Sequence, residues 1–263
     1  MTHHWAERTT TAIAGLEAAR TIAVLPVAAV EQHGPHLPLG TDLFIAEGYV
    51  ARIGEKLEGR PVLFLPVQAV GASAEHLSFP GTLSLSPETA LAAWGEICGQ
   101  VHAAGIRRLV LLNTHGGNVP VIDLLARRLR ERFALLAVTA SMHRFGYPEG
   151  LFTQHERAHG IHGGDIETSL MLALRPDLVR MDAARDFAPF SREMESRFAV
   201  LRANHPVGFG WMSEDLHPSG AMGNAAAATR EKGEAAIAQG VSSFLALLDD
   251  VARFDLSAFT PAP

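Results

Sequence analysis

A three-layer α/β/α domain on a mostly parallel sheet is the fold class this sequence predicts, and three observations predict it. Apolar runs at residues 21–30, 61–67, 108–113 and 135–140 are rich in Val, Ile, Leu and Ala with little polar alternation, as strands buried on both faces require. Segments with helical spacing separate consecutive runs, which is the order of βαβ units. The first three runs each lead into a loop dense in Gly, His and polar residues, and sites in such sheets form at the carboxyl ends of strands.

Taken in order, residues 10–19 read as an opening amphipathic helix. His3 and His4 precede it in an end expected to fray, and receive no role. After the first strand, Ile45, Val50, Ile53 and Leu57 repeat at helical spacing over residues 43–57, and Gly59 ends the pattern. Ser86 offers a capping hydroxyl and Pro87 suits a first helical turn, so a helix runs from there to about Ala104, stopped by Gly105. Residues 119–133 form the helix between the third and fourth strands. From 141 to 164 the pattern weakens, with His143, His155, His159 and His162 among glycine, proline and aromatics; this stretch reads as an active-site lid or an insertion. Ile166, Leu170, Met171 and Leu174 mark a helix over 165–174, residues 180–222 read as irregular, and 225–254 as a long alanine-rich helix. With no internal repeat or linker, residues 1–263 are expected to form one domain, with 1–10 and 256–263 as loose ends.

Composition excludes several classes. A hydrophobic content of 48% against 19% charged residues supplies a core and confines disorder to the ends. The net charge of -6 argues against nucleic acid or an anionic membrane as partner. No apolar run approaches membrane-spanning length, and Met1-Thr2-His3-His4-Trp5 lacks the basic and apolar parts of a signal peptide. The single cysteine, Cys98, precludes an intrachain disulfide and suits a reducing cytoplasm; mid-helix among apolar residues, it reads as core. No phosphate-binding glycine motif is present, which sets a nucleotide-binding module last.

The chemistry concentrates in three places. In Glu31-Gln32-His33-Gly34-Pro35-His36-Leu37-Pro38-Leu39-Gly40-Thr41-Asp42, glycine and proline forbid a helix until Thr41. Glu31 and His33, two apart on an extended segment, point to one side, and Asp42 returns after the turn. Oxygen and nitrogen ligands delivered this way suit a divalent transition metal, and a carboxylate can bridge two. Thr41-Asp42 equally resembles a helix start. His36 is open between a ligand, a supporting donor and a packed imidazole. The second place is Thr114-His115-Gly116-Gly117-Asn118, where consecutive N–H groups can hold an oxyanion, or the histidine can sit in a tight turn. The third is His162-Gly163-Gly164-Asp165-Ile166-Glu167, where carboxylates at a helix start are stabilised by its dipole even without catalytic duty. His76, in a further glycine loop, divides evenly between substrate pocket and loop packing.

These motifs, with Glu75-His76 and Phe79-Pro80-Gly81-Thr82, together resemble the creatininase family over about residues 20–240, in family order. The resemblance implies one α/β/α domain, a two-metal centre (zinc first, manganese or iron next) and a homohexamer. It implies Glu31, His33, Asp42 and His115 as metal ligands, Asp42 bridging, and His162 as the histidine that handles a proton. His36, His76, Gly116, Gly117 and Asn118 are then expected around the substrate. Two positions depart from the founding enzyme: its ligating glutamate is Gly117 here, and the tryptophan four residues before its catalytic histidine is Ala158. Glu167 is the candidate to replace the missing ligand and to act with His162. The expected function is metal-dependent hydrolysis of a C–N bond in a small molecule by activated water. The alternatives are a lactone, C–C or sugar-ring hydrolase on the same site, or a non-catalytic metal-binding protein.

Overall fold

Strands with no polar face must be covered on both sides, and the helices between them supply the cover. The computed structural model describes residues 2–259. In chain order its elements are α1 (Thr10–Ala14), β1 (Ile22–Val27), α2 (Thr41–Gly54), β2 (Val62–Phe64), α3 (Pro87–Ala103), β3 (Arg108–Asn113), α4 (Val119–Phe133), β4 (Leu136–Ser141), α5 (Gln154–His159), α6 (Asp165–Leu174), β5 (Asp186–Phe187), α7 (Ser191–Arg197), α8 (Ser213–Leu216), β6 (Gly223–Asn224) and α9 (Arg230–Arg253). The main sheet has the order β2-β1-β3-β4 and is parallel throughout; β5 and β6 form a small antiparallel ribbon.

Alternation along the strands divides the core in two. Ile22, Val24, Phe64, Val110 and Leu112 face α2, α6 and α9, meeting Ile45, Ile53, Met171, Phe244 and Leu248. Ala23, Leu25, Leu109 and Leu111 face α3 and α4, meeting Trp94, Cys98, Ile122 and Leu125. Three layers result. Burial pushes the Cys98 thiol up to about 12, leaving it an inert core residue. The register sets Val27 beside Asn113 and Asn113 beside Ser141, so the central strands end level and their loops emerge along one edge.

Several boundaries differ from those expected. Gly15 ends α1, and residues 16–20 fold into turns instead of helix. β2 stops short of the apolar run because Pro66 has no N–H, although Leu65 and Gln68 still donate to Val24 and Pro26 carbonyls. α9 begins at Arg230 despite the alanines before it, because the Thr229 side chain caps it by accepting from Lys232 N. His3 and His4 do not fray: Phe64 N donates to the His3 carbonyl and His4 bridges Phe64, covering the edge of β2. Phe259 packs on Phe254 under the Arg130 guanidinium, so the loose end does not begin at 256; residues 260–263, also expected loose, lie outside the described residues. Residues 180–222 hold β5, α7 and α8, each too short to show a period.

Two further expectations are corrected. α9 has the length and apolar composition of a membrane span, contrary to the reading of the sequence. Its Ile237, Val241, Phe244, Leu248 and Val251 are packed in the core beneath the sheet. Residues 141–164 are no separate cover, because Met142 and Phe152 are buried in that same core.

The α6–α9 crossing depends on Gly233, where a Cβ would come within 1.9 Å of the Ser169 carbonyl oxygen. Gly95, inside α3, has only Leu125 Cδ1 near, at 3.7 Å. Gly233→Ala should therefore cost about 1–3 kcal/mol, whereas Gly95→Ala should stabilise by about 0.5–1 kcal/mol. Urea unfolding of the two variants checks this, and equal responses would refute the packing account.

Candidate metal centre

The first loop is shaped by its own backbone. Past β1 the chain stays extended, and Glu31 N donates to the Leu39 carbonyl across the turn. Gly34 has φ +72°, and a Cβ there would strike Ala221 Cβ at 2.7 Å, so only glycine turns the chain here. Thr41 N and Oγ1 both donate to the Pro38 carbonyl, which starts α2 and brings Asp42 back beside Glu31 and His33. From the end of β3, Thr114 Oγ1 donates to the Asp42 carbonyl at 2.9 Å and ties the third loop to α2. The Asn113 amide holds both the N–H and the carbonyl of His115.

These tethers bring the side chains to one point. His115 Nδ1 lies 3.2 Å from Glu31 Oε1 and 3.4 Å from Asp42 Oδ2. His33 Nε2 lies 3.8 Å from Asp42 Oδ2 and 3.9 Å from Glu167 Oε2. Asp42 Oδ2 thus stands between two groups, Glu31 with His115 and His33 with Glu167. The outer nitrogens are spoken for: His33 Nδ1 donates to the Glu31 carbonyl at 3.0 Å and His115 Nε2 to that of Ala72 at 2.9 Å. His33 therefore presents a bare nitrogen inward, as a ligating histidine does, and His115 turns its Nδ1 toward the two carboxylates.

Buried polar atoms almost always find partners. Here Glu31 Oε1 and Oε2, His33 Nε2 and Asp42 Oδ2 are buried with none, and all belong to this cluster. Imidazole nitrogens and carboxylate oxygens within 4.8 Å of one another are the donor set for zinc, manganese or iron. Protonation reflects the same conflict. Burial, opposed by the nearby His115 ring and reinforced by the Glu31 charge, raises Asp42 to about 7. Burial works to lower His115, but Glu31 and Asp42 outweigh it and hold the ring protonated well above its ordinary range. Burial keeps His33 neutral. Positive charge is what these carboxylates draw in, and a divalent cation would supply it.

His162 lies against this cluster. Its Nε2 donates to the Gln32 carbonyl at 2.6 Å, leaving Nδ1 bare at 3.6 Å from Glu31 Oε1. The ring sits between those of His33 and His76, at centroid distances of 4.1 and 4.2 Å. His76 is arranged differently. Gln32 Oε1 accepts from Gly34 N and its Nε2 donates to the Gly220 carbonyl, which orients the amide; the same Nε2 then donates to His76 Nδ1 at 2.7 Å. His76 Nε2 must carry the proton and points at Glu31 Oε1, 3.3 Å away.

Glu31, His33, His76, Asp42, His115, His162 and Glu167 are thus gathered, and Gly116 and Gly117 line the adjoining cavity of about 1070 Å³. His36 and Asn118 do not line it. His36 is buried against Phe187 with Nε2 2.9 Å from Thr168 Oγ1, and Asn118 laces Ala28 to Ala72 through both ends of its amide. Both brace the loops. At Gly117 a Cβ would meet the Ala72 oxygen and His115 Nε2 at 2.4 Å and Glu75 Oε1 at 2.5 Å, so no side chain fits where the founding enzyme has its glutamate. Gln32, Glu75 and Ser213, whose Oγ lies 2.6 Å from His76 Nδ1, were missed by sequence reasoning. Gln32 lay in plain view between Glu31 and His33; Ser213, from a distant irregular stretch, gave no signal.

Burial pulls His36 from its ordinary 6.5 down to about 4. Its neutral form is favoured in the fold, so its contribution is complete above pH 6.5 and is lost as pH falls from there to about 4. At pH 5 the loss should be about 2 kcal/mol. His36→Gln should flatten that part of the stability profile, read by urea unfolding between pH 7 and 5; an unchanged slope would contradict it.

Known proteins share this geometry's sequence. The family model described as creatinine amidohydrolase matches residues 6–248. Creatinine amidohydrolase of Pseudomonas putida is 32% identical over 233 residues, 81% of this chain and 83% of that one. The mycofactocin precursor peptide peptidase of Mycobacterium ulcerans (strain Agy99) is 33% identical over 194 residues, 70% of this chain and 72% of that one. A solved manganese creatininase superposes with a TM-score of 0.76 at 28% identity, covering 97% of this chain and 100% of that chain. With its fold, its motifs and nearly its whole length matched, the chain belongs to the creatininase family of hydrolases.

Proposed function

We propose that this protein is a metal-dependent amidohydrolase that cleaves a C–N bond of a small molecule at a two-cation centre. One observation carries the reading: unpartnered, buried atoms of Glu31, His33 and Asp42 converge directly behind His76, His115, His162 and Glu167, which line a cavity. Glu31, Asp42 and His115 would hold one cation, and His33, Asp42 and Glu167 the other, with zinc, manganese or iron as the metal. Bound there, divalent cations lower the pKa of water to about 7 and polarise a scissile carbonyl.

The protein's own groups do the rest. His162, held at Nε2 by the Gln32 carbonyl, has Nδ1 free to take up a proton and pass it to the leaving nitrogen. Gly116 and Gly117 precede the N-terminus of α4, where backbone N–H groups and the helix dipole favour a developing oxyanion. His76, its Nε2 3.3 Å from Glu31 Oε1, adds a polar neighbour that favours the ionised carboxylate. Arg144, Arg157 and Arg202 stand on the cavity wall, from three separate segments. Guanidinium groups recognise carboxylate and phosphate, which favours a substrate with an anionic group near the scissile bond.

A peptide C–N bond is the second reading, favoured by the similarity to a peptide peptidase and by a cavity roomy enough for a short peptide. Lactone or ring C–C hydrolysis on the same site would release neither ammonia nor an amine. A cavity opening on the cluster disfavours a purely metal-storing role. Membership of the family also supports one domain, a homohexamer and a cytoplasmic location as working assumptions.

Chelation should abolish hydrolysis across a panel of formamides, cyclic amides, short peptides and lactones, and zinc or manganese should restore it. Asp42→Ala should lose both cations by elemental analysis, while His162→Ala should keep them and lose about 10²–10⁴-fold in kcat. Full turnover by metal-free protein would end the proposal. Replacing Arg144 and Arg157 together by alanine should raise KM for carboxylate-bearing substrates only; a matching rise for neutral ones would remove the anionic-substrate reading.

A further inference from the structure

Glu156 lies on α5, outside the cluster and outside every motif, yet it is 3% exposed. No cation among the described residues pairs with it. Its Oε1 accepts from Asp165 N at 2.7 Å and its Oε2 from Asn224 N at 2.9 Å, so each carboxylate oxygen has a backbone donor. Three glycines enclose the carboxylate: a Cβ at Gly160, Gly164 or Gly223 would come within 2.1, 2.2 or 2.7 Å of Oε1. A buried charge without a counter-ion persists only when such donors satisfy it.

The position of this carboxylate is informative. A helix is ordinarily capped by the residue just before it, but before α6 stands Gly164, with no side chain to do so. The cap reaches in from α5 instead, across residues 160–164. That crossed loop carries His162, whose backbone pairs in both directions with Met222 just before β6. In the first turn of the capped helix stands Glu167, which also accepts from Gly163 N at 2.5 Å. One carboxylate therefore joins α5, α6 and β6 around the two groups that complete the centre. α6 has a separate anchor, since Asp165 accepts from Lys232 of α9 at 2.6 Å and from Ser169.

We propose that Glu156 is a positioning residue of the metal centre, setting Glu167 for the second cation and His162 beside the first. This rests on the two-cation reading above. Loss of the cap should loosen the start of α6 without unfolding it, because Lys232 still holds Asp165. The first cation, held by Glu31, Asp42 and His115 from other elements, should be indifferent.

Glu156→Gln keeps the size of the side chain but turns an NH₂ toward one of the N–H donors. Zinc titration of the chelator-treated full-length protein separates the sites. Wild type is expected to bind two ions. Glu156→Gln should bind the first as wild type does and the second about 10–100-fold more weakly, with a thermal midpoint within a few degrees. Glu156→Asp, which keeps two acceptor oxygens, should fall between, and Glu167→Ala should lose the second ion alone. Equal weakening of both sites, or unchanged binding of both, overturns the assignment of Glu156 while leaving the two-cation reading intact. A wild type that binds fewer than two ions overturns the reading and this assignment with it.

Discussion

Two carboxylates, Glu31 and Asp42, stand fully out of water with inward oxygens that no protein group satisfies. Desolvating such groups is costly, and the surrounding architecture holds them in place nonetheless. The level ends of β1 and β3 bring their loops together. Gly34 turns the first loop back, Thr114 binds Asp42 through its carbonyl, and the outer nitrogens of His33 and His115 are pinned to backbone oxygens. Each of these contacts denies the cluster an easier arrangement, such as rotation of a carboxylate toward solvent. What remains is a set of lone pairs directed at a common space, complementary to positive charge.

The second half of the centre is built differently from the first. Glu31 and His115 come from loops at the sheet edge and Asp42 from the first turn of α2, which the Pro38 carbonyl and Thr114 tie to those loops. Glu167 comes from α6, which belongs to the helical layer packed with α2 and α9. The loop after β3 cannot supply a carboxylate at Gly117, because the Ala72 oxygen, His115 and Glu75 already fill the space a side chain would need. Under the proposed two-cation reading, a ligand at Glu167 would make the centre sensitive to how α6 begins, and so to α5 and β6. His162, on the loop between α5 and α6, shares that dependence, so its position and that of Glu167 are linked mechanically.

The cavity wall follows from the same packing. Met142 and Phe152 are rooted in the core, so the stretch between β4 and α6 is held as a wall while its polar side chains face the opening. Arg144 and Arg157 carry no carboxylate partner among the described residues, and Glu195 is engaged by His159. The cavity thus sets imidazoles and carboxylates (His76, His115, His162, Glu75 and Glu167) in the same space as guanidinium groups on its wall. This arrangement suits a family whose members act on different amides and peptides.

Much of this was legible in the sequence because it is local. Unalternating apolar runs betray strands covered on both faces, and Glu31, His33, Asp42 and His115 are conspicuous because glycine and proline leave them no regular structure to support. The edge pairing of His3 and His4, the brace roles of His36 and Asn118, and the short elements of residues 180–222 were not legible, since none has a period or a composition of its own. The sequence by itself determined the layered fold and the ligand types, which follow from side-chain periodicity and from the chemistry of neighbouring residues. Only the tertiary structure decided that Glu167 stands opposite His33, that Gly117 admits no side chain, and that Glu156 caps a helix nine residues away, because each is a close approach between segments whose distance the packing of helices on the sheet sets.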